Sequence, residues 1–186
     1  MTVVRVELEY TEIQAHRGGM GLWPENTIMA MKNAIDLGVD MLELDLMISK
    51  DSLVVVSHEE IMSSEYVTKP DGTRVTKAEE ASLVLFGMPY DDIRRYDTGL
   101  AGDSRYPARV RIAACKPLLS ELLDATEAHI REKGGRNLRY NIEIKASKGK
   151  EQRCMAPDYK TFTDLCMAVI LEKGLGGRVT IQSFDA

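Results

Sequence analysis

The chain has 186 residues, 44% hydrophobic and 28% charged, which is room for one globular domain with a sizeable core. A net charge of −5 sets aside a sequence-independent nucleic-acid binder, which carries the opposite sign. No apolar run approaches the roughly 20 residues of a membrane-spanning helix, and the first residues are too charged for a signal-peptide core. As written, the chain is expected to be soluble and without a leader, unless one has been removed.

In chain order, Val4, Val6, Leu8 and Tyr10 alternate with Arg5, Glu7 and Glu9, the period of a half-buried strand. Ile13 to His16 reads as a second short strand stopped by Gly18-Gly19. Asn26 is expected to cap a helix whose apolar face is Ile28, Met31, Ala34 and Ile35 and which ends at Gly38. Val39 to Ile48 is strand-like, Asp51-Ser52 turns the chain, and Leu53 to Val56 follows.

Residues 59–117 lose clear periodicity, apart from a short helical candidate at Tyr90 to Tyr96. They read as an insertion over one face of the domain, without the periodic apolar segments for a core of their own. A helix begins near Pro117 and carries Leu118, Leu119, Leu122, Leu123 and Ile130. Then come a strand at Leu138 to Ile144, a helix from Tyr159 to Lys173 and a strand from Val179 to Phe184. This alternation implies an α/β fold with a parallel sheet and crossover helices.

Cys115, Cys154 and Cys166 form no metal-type pair and are expected as buried small apolar residues. Arg94, Arg95, Arg105, Arg109 and Arg111 read as solvated loop charge, and His129 as a packing residue.

Glu43 and Asp45 are two apart, so on a strand both point to one face. The next strand follows too closely for a parallel crossover and must return antiparallel. A two-residue turn at Asp51-Ser52 places Asp45 opposite His58; a three- or four-residue turn shifts the register by one. With Glu143 the acids form an all-oxygen set, which selects a hard cation, Mg²⁺ or Ca²⁺. His16 and His58 are proton-transfer groups near neutral pH, and Arg17 and Lys145 are basic groups for an anionic substrate.

These residues sit in a series of motifs: His16-Arg17-Gly18, Pro24-Glu25-Asn26-Thr27, Glu43-Leu44-Asp45 and Val55-Val56-Ser57-His58. Lys116-Pro117-Leu118-Leu119-Ser120-Glu121, Asn141-Ile142-Glu143-Ile144-Lys145 and Gln182-Ser183-Phe184-Asp185 follow. In this order they resemble the glycerophosphodiester phosphodiesterase family. Glu59 after His58, and Ser52 in the turn, depart from its usual Asp and Gly.

The resemblance implies a TIM (β/α)₈ barrel of the phospholipase C-like phosphodiesterase type. The implied reaction is hydrolysis of a small-molecule glycerophosphodiester to glycerol 3-phosphate and an alcohol, with one divalent cation, Ca²⁺ or Mg²⁺. His16 and His58 are then the general acid and base, and Glu43, Asp45 and Glu143 hold the metal. Arg17 and Lys145 contact the phosphate. Glu25 orients Arg17 or helps bind the metal.

Such a barrel usually needs about 250 residues. Four barrel strands are expected here, near His16, Glu43, Glu143 and Ser183, so residues 1–186 read as the N-terminal half of the domain. Its open edge calls for a missing C-terminal half or a homo-oligomer. Two rival readings remain: a related barrel phospholipase that forms a cyclic phosphate, and an inactive fragment that binds only metal or a partner.

Overall fold

The computed structural model describes residues 11–135 and 137–184. The strand expected at Val4 to Tyr10 lies outside the described residues. β1 (Gln14–Ala15) pairs in parallel with β2 (Met41–Ile48), and β2 pairs in parallel with β4 (Arg139–Ile144). β5 (Val179–Gln182) closes the order β1-β2-β4-β5, while β3 (Val54–Val56) returns antiparallel on β2. Thus β3 is an excursion from β2, as expected.

Alternation along β2 divides the sheet into two chemistries. Leu42, Leu44, Leu46 and Ile48 join Tyr140, Ile142 and Ile144 of β4 in one apolar core. That core is covered by α1 (Ile28–Leu37), α3 (Leu119–Glu132) and α4 (Tyr159–Glu172), which contribute Met31, Leu122 and Phe162. Glu43 and Asp45 alternate with the leucines, and all eight residues of β2 are buried. Asp45 faces Glu143 directly across the parallel pair, and Glu143 faces Gln182. His129 on α3 bonds Asp36 on α1 (Nε2 to Oδ1, 2.9 Å), so it ties two helices together. Among the described residues, no helix is long and apolar enough to cross a membrane.

Three expectations need correction. The turn between β2 and β3 is longer than two residues, and the register is Leu46 to Val56, Met47 to Val55 and Ile48 to Val54. Ser49 causes this: its N–H donates to the Leu53 carbonyl (3.0 Å), while its Oγ donates to Asp51 and accepts from Leu53 N–H. Three residues are left in the loop, with Ser52 left-handed at φ 62°. Asp45 therefore lies beside Ser57, whose N–H donates to its carbonyl (2.9 Å). On an unbroken strand His58 would then face away; it reaches the cleft because β3 ends at Val56.

Second, Thr27 caps α1, its Oγ1 accepting from Ala30 N–H (3.2 Å). Asn26 is left-handed at φ 56° and serves Asp45 instead. Residues 59–117 bury an apolar cluster of Met62, Tyr66, Val67, Val75, Leu85, Tyr90 and Ile93 against Met47 and Val55 of the sheet. Leu85 comes from a 3₁₀ turn, Tyr90 and Ile93 from the one-turn α2 (Tyr90–Ile93), and Met62, Tyr66, Val67 and Val75 from turns and irregular backbone, so the cluster has no shared period to read. Third, only Cys166 is a core residue; Cys115 is half-buried and Cys154 exposed.

Candidate active site and metal centre

The C-terminal ends of β1, β2 and β4 converge on one cleft of about 380 Å³, lined by His16, Arg17, Glu43, His58, Glu143 and Lys145 among others. That is the end of a parallel sheet where ligands bind. The sequence His16-Arg17-Gly18 forms a 3₁₀ turn straight after β1, with Arg17 left-handed at φ 51°. Gly18 (φ +77°) lies so close to α1 that a Cβ there would meet Ala30 Cβ at 2.8 Å. Gly18→Ala is expected to destabilise the chain by at least about 2 kcal/mol, from left-handed strain plus overpacking. A shifted urea midpoint with an unchanged slope would show it; an unchanged midpoint would refute the close packing of this turn.

Glu43, Asp45 and Glu143 each present an oxygen within 4.8 Å of the others. Arg17 N–H donates to Glu43 Oε2 (2.6 Å). Asn26 grips Asp45 twice: Nδ2 donates to Oδ2 (2.9 Å), and Oδ1 accepts from Asp45 N–H (3.2 Å). Lys145 Nζ lies 2.6 Å from Glu143 Oε1 and 3.1 Å from Asp45 Oδ1. His16 Nε2 is 4.0 Å from Glu43 Oε2.

The electrostatics fit a cation. Burial, then the neighbouring Asp45, push the Glu43 carboxyl up to about 7. Burial would also raise Asp45, but the Asn26 hydrogen bond and the Lys145 charge outweigh it and hold that carboxyl below the usual range. Asp45 Oδ1 is buried with no hydrogen-bond donor, although Lys145 stands within ion-pair distance. A buried, under-satisfied oxygen inside an all-carboxylate set is what a hard divalent ion would complete. Burial and then Arg17 lower the His16 imidazole from its ordinary value.

Behind the cleft, charge alternates along a chain that is largely buried from Asp45 to Asp103 and reaches the surface at Arg105 and Glu65. Arg17 Nε lies 3.3 Å from Asp45 Oδ2, and its Nη1 donates to Glu25 Oε1 (2.9 Å). Arg109 Nη2 donates to the other Glu25 oxygen (3.3 Å), and its Nη1 to Asp103 (3.3 Å). Arg105 continues the chain to Asp103 and Glu65. Glu25 is not among the clustered carboxylates; its contacts are with arginines.

The sequence model of the Glycerophosphoryl diester phosphodiesterase family matches residues 16–186. The chain belongs to the glycerophosphoryl diester phosphodiesterase family. It is 32% identical over 175 residues to a glycerophosphodiester phosphodiesterase of Caldanaerobacter subterraneus, covering 94% of this chain and 58% of that one. It is 27% identical to a Bacillus subtilis glycerophosphodiester phosphodiesterase, covering 92% of this chain and 51% of the relative. The chain thus spans little more than half the length of these relatives.

A solved structure from Silicibacter pomeroyi superposes with a TM-score of 0.82 at 24% identity, covering 97% of this chain and 60% of that one. An Oleispira antarctica phosphodiesterase, solved with the product sn-glycerol-3-phosphate, matches at 0.66 and 20% identity over 94% and 58%. The fold is therefore the α/β parallel sheet expected, matched to part of each longer chain.

The glycerophosphoryl diester phosphodiesterase motifs account for much of the cleft, but sequence reasoning missed five supporting residues. Asn26 and Lys116 stand inside motifs that were legible, yet neither was given a role at the site. Glu59 registered only as a departure from the family pattern. Tyr66 has no sequence signal, because its stretch is aperiodic. Arg109, expected as solvated loop charge, is buried at 6% exposure and paired with Glu25 and Asp103. Asp103 is only six residues away, but nothing in the loop announces Glu25, which is 84 residues away in the chain.

Proposed function

We propose that this chain carries the catalytic machinery of a divalent-metal-dependent glycerophosphodiester phosphodiesterase. The single observation behind this is the meeting of three buried carboxylates, two imidazoles and two basic side chains at one cleft. Glu43, Asp45 and Glu143 hold one hard cation, Ca²⁺ or Mg²⁺. When bound, the ion supplies charge neutralisation for a phosphate oxygen and for the developing negative charge.

Arg17 and Lys145 attract and orient the phosphodiester. Both are partly spoken for, Arg17 by Glu25 and Asp45 and Lys145 by Glu143 and Asp45, which holds their positions before substrate arrives. His16 and His58 divide the proton work. One imidazole takes the proton from the attacking water oxygen as the new P–O bond forms. The other gives a proton to the departing alcohol oxygen as the old P–O bond breaks. The products are a glycerol phosphate monoester and the free alcohol.

Phosphorus NMR of glycerophosphocholine incubated with the chain and Ca²⁺ or Mg²⁺ tests this reading. A phosphomonoester resonance, with choline released, is expected. A persistent cyclic phosphodiester resonance would replace the assignment with the cyclising phospholipase, and absence of any turnover would leave the metal-binding fragment. A second reading concerns the substrate alone: a 46-residue stretch is 56% identical to a human lysophospholipase D. Choline release from lysophosphatidylcholine in the same assay would extend the substrate to acylated glycerophosphodiesters.

A further inference from the structure

Lys116 is a buried cation without a carboxylate beside it. It is 5% exposed, and among the described residues it makes no ion pair within 4.0 Å. Its Nζ donates to Ser57 Oγ (2.8 Å) and lies 3.4 Å from the Tyr66 hydroxyl. A lysine is almost never buried unless its charge is compensated. The compensation lies one group further on. Tyr66 OH donates to Glu59 Oε2 (2.5 Å), Glu59 Oε1 lies 3.2 Å from His58 Nδ1, and Ser57 Oγ donates to the Glu59 carbonyl (2.7 Å).

These contacts form one connected run from Lys116 through Tyr66 and Glu59 to the His58 ring. Tyr66 and Lys116 come from opposite ends of the 59–117 stretch, so that stretch closes around the back of His58. Burial alone would raise the Glu59 carboxyl, but the His58 bond, the Lys116 charge and the Tyr66 bond outweigh it and keep Glu59 below the usual range. Burial and then Glu59 raise the Tyr66 phenol well above its ordinary value, so it remains a donor.

We propose that Tyr66 and Lys116 are positioning residues for His58: they aim Glu59 so that it holds the imidazole in its Nδ1–H tautomer, leaving Nε2 free for the reacting oxygen. This rests on the reading of His58 as a proton-transfer group. Glu59 has two oxygens, and a carboxylate held by only one contact can swing. With Oε2 fixed by Tyr66, Oε1 is committed to Nδ1. The carboxylate then accepts from the ring, which selects the tautomer. Lys116 seats the phenol and places a positive charge behind the carboxylate without competing for its oxygens. A carboxylate that fixes a catalytic imidazole in this way acts on orientation and tautomer, not on substrate binding.

The test compares the wild-type chain with Tyr66→Phe and Lys116→Met. Long-range ¹H–¹⁵N correlation spectra with Mg²⁺ present, at a pH where the ring is neutral, report the His58 tautomer. Steady-state kinetics on glycerophosphocholine report kcat and KM. The wild type is expected to show the Nδ1–H form. Each variant is expected to shift His58 toward the Nε2–H form and to lower kcat by about 10- to 100-fold with KM nearly unchanged.

A variant that melts cooperatively yet keeps the wild-type tautomer and kcat would overturn the proposal. So would a rise in KM with the tautomer unmoved, the mark of a merely loosened fold. Should Lys116→Met fail to fold, Tyr66→Phe decides alone, since it deletes one oxygen and keeps the ring. Should the wild type show no diesterase turnover, the functional reading fails, while the tautomer comparison still decides the role of Tyr66 and Lys116.

Discussion

Alanine at His16 or at His58 is expected to lower turnover of glycerophosphocholine by about 10²- to 10⁴-fold each, the usual worth of a positioned acid or base. Metal binding should survive both changes. Neither imidazole belongs to the clustered carboxylates, and His16 Nε2 stands 4.0 Å from the nearest Glu43 oxygen. His58 is turned toward Glu59 through Nδ1, so its loss frees a carboxylate outside the metal set. Calorimetric titration with Ca²⁺ or Mg²⁺ beside steady-state kinetics separates the two functions. If both variants kept wild-type turnover, the proton-transfer assignment would be wrong.

A divalent cation is expected to raise the melting temperature of the chain. Three carboxylates within 4.8 Å repel one another at the cost of native-state stability. An ion at a hundred times its dissociation constant adds about 2.7 kcal/mol. For a chain of this size that corresponds to a rise of about 5 to 10 °C. Glu143→Gln keeps the shape of the side chain but removes one ligand charge, so the rise should largely vanish in that variant. Its metal-free form should melt no lower than the wild type by more than the lost Lys145 pair explains. A wild type whose melting point ignores both Ca²⁺ and Mg²⁺ would count decisively against the centre. A rise that persists undiminished in Glu143→Gln would move the ion to some other site.

The eight residues expected at the site are brought together in the structure, though not all by the route expected. A two-residue turn would set His58 opposite Asp45. The structure puts Ser57 there, and His58 gains the cleft only by leaving the strand. The right neighbourhood followed from a wrong register, because residues just past a strand end are free of its alternation. Glu25 was open between two roles, and its contacts are with Arg17, Arg109 and Arg105. Arg109, expected as solvated charge, is buried. An arginine in an aperiodic loop carries no local signal of burial, since Glu25, which it shares with Arg17, meets it only through the fold.

By itself the sequence determined whatever is periodic or contiguous. The leucines of β2 alternate with Glu43 and Asp45, so the backbone pleat alone sends the apolar side chains to the helices and the acids to the other face. The motif series likewise carried the family, since its residues are adjacent in the chain. Tertiary structure decided everything that depends on segments distant in sequence. It turned Asn26 from a helix cap into a clamp on Asp45, buried Arg109 against Glu25, and connected Lys116 through Tyr66 and Glu59 to His58. The reason is that a buried polar group must find its partner in three dimensions. Backbone periodicity fixes the face on which a strand side chain emerges, but not which remote residue will be waiting there.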